Sequence, residues 1–283
     1  MINKLLYPYI PLFLFLTGLT SEAKAQYYYK DIWNIQQLSN EFSILKHEKL
    51  KSVKIKSFED DGEPSEGFYC EKKINNNYTQ SEMISKSYIT GQSLLVSDYN
   101  NEGRLLKTED DTPTANSTTN YEYDDKGHLT LVRLFTRGDN ETGSITETRQ
   151  YYYNEKGQPQ KMERRKNNTL VATIHFEIDD NGNVIEENVS DASSADKKYY
   201  YYYDDKNRIT DVVHFNERAE KLLPDYMYEY NTLNQPIQMI TASETGDNYF
   251  IWRYTYNDKN LRETERCFSK EKKMLGKIEY EYK

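Results

Sequence analysis

Apolar residues along this chain come in short alternating runs, punctuated by polar turn residues at nearly fixed intervals. One stretch shows the whole pattern: Tyr201-Tyr202-Tyr203-Asp204-Asp205-Lys206-Asn207-Arg208-Ile209. Strand-prone aromatics lead in, an Asp opens a turn, an Asn closes it, and an aliphatic residue resumes the strand. The same frame begins at Ser97, Tyr121, Tyr151, Phe176, Tyr228 and Tyr254, and an eighth copy opens at Tyr280.

The turn chemistry has a physical cause. The fourth residues of the complete copies are Asn100, Asp124, Asn154, Asp179, Asp204, Asn231 and Asn257. A short Asp or Asn side chain accepts from the amide two residues on and so favours a type I turn. The seventh residues are Gly103, Gly127, Gly157, Gly182, Asn207, Asn234 and Asn260. Gly enters positive φ freely and Asn is the next most tolerant. Together they predict a hairpin with a type I turn and a left-handed bulge residue. The turns recur after 24, 30, 25, 25, 27 and 26 residues, a period of about 26. This predicts an all-β fold of tandem antiparallel β-hairpin repeats in a curved or superhelical open sheet, with a short N-terminal helix. Tight turns would line one rim. Variable return loops, such as 137–140, 165–168, 216–218 and 243–246, would line the other.

Past the turn, apolar residues fall at the second position (Leu129, Val184, Ile209) and the fifth (Val132, Met162, Val212, Met239). These face opposite sides of a flat strand, so either a bulge shifts the phase or both faces are covered. Phe135, Phe215 and Phe268 share a further position. Pro159 and Pro236 share another, where no N–H is needed.

Upstream, Ile32, Ile35, Leu38, Phe42 and Leu45 recur at helical spacing, with Asp31 placed to cap the start. This helix, within 26–50, is expected to cover the open edge of the first strands. Residues 51–96 read as degenerate strands, and 97–283 as the repeat array. Residues 1–25 read as a secretory signal: Lys4, an apolar run over 5–19, and the small-x-small site Ala23-Lys24-Ala25, leaving Gln26 as the mature first residue. That run falls short of the ~20 residues of a spanning helix. No later segment reads as a transmembrane helix. The chain is therefore expected to be exported to the periplasm, the cell surface or the medium.

The turn pattern resembles the YD repeats of Rhs-type proteins. Asn100-Asn101-Glu102-Gly103-Arg104-Leu105 and Asp124-Asp125-Lys126-Gly127-His128-Leu129 carry the likeness, which extends over about 97–283. It implies a curved strand array used as scaffold or binding surface. It also implies, as one option, an accessory role in an Rhs-type toxin system.

Composition narrows the function. The net charge is −9 and no basic cluster stands out, which argues against a nucleic-acid partner. The chain holds 27 tyrosines, a residue suited to half-wet sheet faces. Tyr121, Tyr123, Tyr151, Tyr153, Tyr201, Tyr203, Tyr228, Tyr230, Tyr254 and Tyr256 should stack across repeats. One ring of each pair is expected to stabilise the sheet and the other, with Tyr200 and Tyr202, to bind a sugar polymer or protein.

Catalytic chemistry is not indicated. His47, His128, His175 and His214 lack zinc-ligand spacing, and the Asp179-Asp180-Asn181-Gly182 turn lacks calcium-loop spacing. No cofactor or metal is expected. Cys70 and Cys267 are a disulfide pair or two separate thiols; a bond would require the array to curl back on itself. The expected function is an exported, non-enzymatic binding scaffold for a surface glycan or secreted protein. An outer-membrane β-barrel is the alternative from another class, favoured by strand count and opposed by charges within the strands at 163–165, 186–187 and 262–266.

Overall fold

The computed structural model describes residues 26–138, 143–216, 220–242 and 248–283; the expected signal segment, 1–25, lies outside them, as do parts of three return loops. A π-helical stretch, Tyr28–Trp33, runs straight into helix α1 (Asn34–His47). Then come eighteen strands. They are β1 (Ser52–Phe58), β2 (Tyr69–Ile74), β3 (Gln80–Ser87), β4 (Gly91–Tyr99), β5 (Leu105–Asp111) and β6 (Ala115–Tyr123). Next are β7 (Leu129–Gly138), β8 (Ser144–Tyr153), β9 (Pro159–Lys166), β10 (Thr169–Ile178), β11 (Val184–Asp191) and β12 (Lys197–Tyr203). The last are β13 (Ile209–Asn216), β14 (Lys221–Tyr230), β15 (Pro236–Ala242), β16 (Tyr249–Tyr256), β17 (Arg262–Phe268) and β18 (Met274–Tyr282).

Each strand pairs antiparallel with its neighbours in sequence, and β1 pairs with β18 from Val53↔Tyr282 to Phe58↔Lys277. The backbone N–H groups of Lys51 and Ser52 donate to the Lys283 carbonyl at 2.5 and 2.8 Å. The expected open, curved or superhelical sheet is therefore corrected: the sheet is a closed 18-stranded up-and-down barrel. Closure leaves no unpaired edge, which is the standing liability of an open sheet. The repeat period could not reveal it, because a period fixes one hairpin and not the number that completes a circle.

The turns are built from local hydrogen bonds. In the Asp204 turn the Asn207 amide donates to the Asp204 carbonyl at 3.1 Å, while the Asp204 carboxylate accepts from the amides of Lys206 and Arg208, both at 3.0 Å. Asn207, Asn234 and Asn260 sit at φ of 57°, 64° and 60°. At each such turn the register also shifts, as between Tyr202 and Tyr203. There Tyr202 pairs with Asp211 and Tyr203 with Ile209, so Thr210 is the extra residue. This bulge resolves the parity conflict, and Ile209 and Val212 both face inward and are buried.

The core lies inside the ring. The helical segment runs through the lumen rather than over an edge, burying Tyr27, Tyr29, Ile35, Phe42 and Leu45. Phe42 stacks on Tyr99 of the wall at a centroid distance of 3.7 Å. A barrel of this size would otherwise leave a water-filled bore.

Candidate functional site

The lumen is where this chain concentrates its unusual chemistry. The wall supplies two rings of tyrosine. The lower tyrosine of each pair staples its hairpin to the preceding one. Tyr123, Tyr153, Tyr203, Tyr230 and Tyr256 donate to the carbonyls of Leu105, Leu129, Val184, Ile209 and Pro236, all at 2.7 or 2.8 Å. Those acceptors lie beside the bulges, where the ladder is interrupted. The other ring meets the helix. Tyr151 donates to Asp31 at 2.6 Å, Tyr201 to Glu187 at 2.8 Å, and Tyr228 shares a short hydroxyl contact with Tyr29. Half-buried Tyr121 packs against the same core. All ten tyrosines expected to stack, Tyr254 included, pack against the core on the lumen side of the wall. Tyr200 and Tyr202 do point outward, Tyr202 with 48% of its surface exposed.

Polar groups on the helix are matched by polar groups on the wall. Asp31 does not cap its helix. It accepts from Arg149 Nη1 at 2.7 Å, and Arg149 and Arg164 both bind Glu147. Burial alone would raise the Glu147 carboxyl, but the two guanidinium groups hold it below the usual carboxylate range. The helix start is capped from the wall instead. Glu187 accepts from the backbone N of Gln26, Tyr27 and Tyr28 at 2.7, 3.0 and 3.1 Å. Those are the first amides of the helical segment, which have no partner within it. Burial pushes the Glu187 carboxyl up, and these amides and the Tyr201 hydroxyl pull it back only in part. Beside it, Gln26 Nε2 donates to Asp225 Oδ2 at 2.5 Å, and His214 Nδ1 lies 2.8 Å from the same oxygen.

On the opposite side of the helix the lumen is open. A cavity of about 740 Å³ separates Trp33, Gln37 and Glu41 of the helical segment from Trp252, Tyr254, Arg262, Glu265 and Tyr280 of the wall. It reaches the tight-turn rim at Asn207, Asn234 and Asn260. Glu265 is paired there with Arg262 at 2.7 Å and accepts from Tyr280 at 2.6 Å. Arg262 also lies over the Tyr254 ring at 4.4 Å. The buried indole Nε1 of Trp252 has no hydrogen-bond acceptor among the described residues.

Glu187 and Glu265 stood out in the sequence only as charges within strands and not as site residues, though a signal existed. Counting eight residues past each turn-opening Asp or Asn gives Thr108, Val132, Met162, Glu187, Val212, Met239 and Glu265. A carboxylate at a position otherwise largely apolar marks a wall site with a special partner. Cys70 and Cys267 are two buried free thiols. Two strands, β18 and β1, stand between theirs, a separation of about 14 Å at the usual strand spacing. Among the described residues no group of His, Cys, Asp and Glu could hold a metal ion.

The closed barrel fits the outer-membrane β-barrel expectation better than the open binding scaffold. No protein-family model and no curated protein matches the chain. Among solved structures, it is similar to a porin-like protein from Bacteroides uniformis, with 11% identity, 83% of this chain and 96% of that chain covered, and a TM-score of 0.42. A porin-like protein from Bacteroides vulgatus is 12% identical over 83% of this chain and 98% of that one, with a TM-score of 0.27. The Tc holotoxin pore of Photorhabdus luminescens is 11% identical over 76% of this chain but only 16% of that chain, with a TM-score of 0.31.

Proposed function

We propose that the protein is a plugged, non-conducting β-barrel of the cell envelope that stands in water and binds a small neutral, hydroxyl-bearing ligand beside its helix. The charge on the outer wall carries the first half. On β9, Met162 faces inward, so Lys161, Glu163 and Arg165 face outward, where they pair with one another at 2.9 and 3.0 Å. Outward pairs recur around the ring: Glu186–Lys198, Lys56–Glu281 and Lys277–Glu279. A lipid-facing Lys or Arg costs about 2–4 kcal/mol at the bilayer midplane. The helix and tyrosine rings occupy the bore that a pore would need.

The cavity supports the second half. The rings of Trp252, Tyr254 and Tyr280 line the wall, and Asn234, Gln235 and Asn260 line the mouth. Arg262 is already matched by Glu265 and Arg208 by Asp204, so a ligand of sugar type fits better than an ion. Calorimetry against a panel of mono- and oligosaccharides tests this, with Trp252→Phe beside the wild type. Saturable binding that the variant loses at an unchanged melting midpoint is the expected result; no binding by the folded wild type would remove the ligand.

A second reading places the wall in a membrane. It is favoured by closure of the ring and by outward apolar residues such as Leu94, Val96 and Phe135, the last 42% exposed. Extraction separates the two. The water-facing barrel is released from envelopes without detergent and gives no current in planar bilayers, whereas a detergent requirement with channel current would establish the membrane barrel.

A further inference from the structure

Glu187 has no exposed surface, and among the described residues no Lys, Arg or His pairs with it. Its partners are the Tyr201 hydroxyl and the backbone N of Gln26, Tyr27 and Tyr28, and its shortest contact, 2.7 Å, is to Gln26. A buried carboxylate without a counter-ion is strongly unfavourable, and dipoles offset only part of that. Gln26 is itself fully buried and sits at φ 89°, a conformation that a residue with a Cβ rarely adopts. The residue before it closes the small-x-small site Ala23-Lys24-Ala25.

These observations meet at one atom. We propose that hydrolysis of the Ala25–Gln26 bond by an export peptidase converts the Gln26 amide into an α-ammonium, and that this ammonium is the buried counter-ion of Glu187, locking the plug into the barrel. The step balances. Water adds across the peptide bond, Ala25 leaves as a carboxylate, and the Gln26 nitrogen takes up a proton. One positive charge then lies against one buried negative charge. Cleavage also removes the preceding carbonyl, whose clash with the side chain makes a positive φ unfavourable. Asp225 accepts from the Gln26 carboxamide, a bond that must break in the cyclisation to a neutral lactam that N-terminal glutamine otherwise undergoes with loss of ammonia.

The test is made on the protein purified from the envelope of cells expressing the full 283-residue chain. Intact mass and N-terminal sequencing are combined with an amine-reactive label, applied to folded and to unfolded protein. The expected product begins at Gln26 with a free amine. That amine should react roughly tenfold or more slowly in the folded protein, because labelling then requires a local opening. Glu187→Gln should abolish this protection. Gln26→Ala, which keeps the amine and cannot cyclise, should retain it and keeps the test decisive should Glu187→Gln fail to fold. A different first residue, a lactam at Gln26, or equal labelling of folded and unfolded protein would overturn the proposal.

Discussion

Glu187 and Glu265 stand at the same place in their repeats, eight residues past the Asp or Asn that opens the turn, yet the barrel uses them differently. Both face the lumen and both are buried. Glu187 meets the backbone of the helical segment and no cationic side chain. Glu265 meets the Arg262 guanidinium and the Tyr280 hydroxyl at the margin of the cavity. The repeat therefore sets the direction in which a side chain points. What it meets there is set by which face of the helix lies opposite, and the helix does not repeat.

That contrast is most sharply tested by removing each carboxylate. Glu187→Ala leaves three backbone nitrogens and a hydroxyl without their acceptor in a dry site, and is expected to cost about 3–5 kcal/mol. Glu265→Ala removes the carboxylate that pairs with a guanidinium beside a cavity that water can enter, so a loss of about 1–3 kcal/mol is expected. Urea midpoints with matched m-values give both numbers. Equal losses would mean that burial depth alone, not the partner, decides the cost.

Hairpins were legible in the sequence because a turn is made by its own residues. The Asp204 carboxylate, the amides it accepts from and the left-handed Asn207 all lie within five consecutive positions. Ring closure was not legible. The β1–β18 pairing joins Val53 to Tyr282 across nearly the whole described chain, and nothing local to either strand announces it. The helical stripe of Ile35, Leu38, Phe42 and Leu45 was readable, but its destination was not, since a lumen exists only once the ring closes. The tyrosine pairs were readable as a repeat, whereas the face they occupy became the inside only when the ring closed.

The rim should respond uniformly where the lumen does not. Asn207→Val forces a β-branched residue to positive φ and is expected to cost about 1–2 kcal/mol, while Asn207→Gly should be neutral or slightly stabilising. The same pair of changes at Asn234 and Asn260 should give the same pair of effects, read as thermal midpoints. Matching midpoints for the Val and Gly variants at any one turn would contradict its left-handed geometry. The tyrosine staples should behave alike at a smaller scale. Tyr203→Phe, Tyr230→Phe and Tyr256→Phe each lose one hydrogen bond to a wall carbonyl, about 1 kcal/mol apiece. A wide spread among the three would show that lumen context reaches the rim.

The smallest effect separates turns that open with Asp from turns that open with Asn. Burial works against ionisation of Asp204, but the Arg208 side chain and the amides of Arg208 and Lys206 outweigh it, so its carboxyl lies below the ordinary range. Asp124 and Asp179 are lowered in the same way, with His128 and Asn183 as the following residues. A carboxyl lowered by folding stabilises the fold above its unfolded value, near ~3.9, and that contribution is lost as pH falls through the lowered folded value. Asn231 and Asn257 make the same turn and cannot titrate. Asp204→Asn should therefore change stability by less than about 1 kcal/mol at neutral pH, since the turn is solvent-facing and its ion pair is screened. Below about pH 4 the gap should shrink, because the wild type loses what the variant never had. Chemical denaturation at matched pH values reads the difference. Curves that stay parallel down to acid pH would show that Asp and Asn serve these turns through the same neutral hydrogen bonds, with no part played by charge.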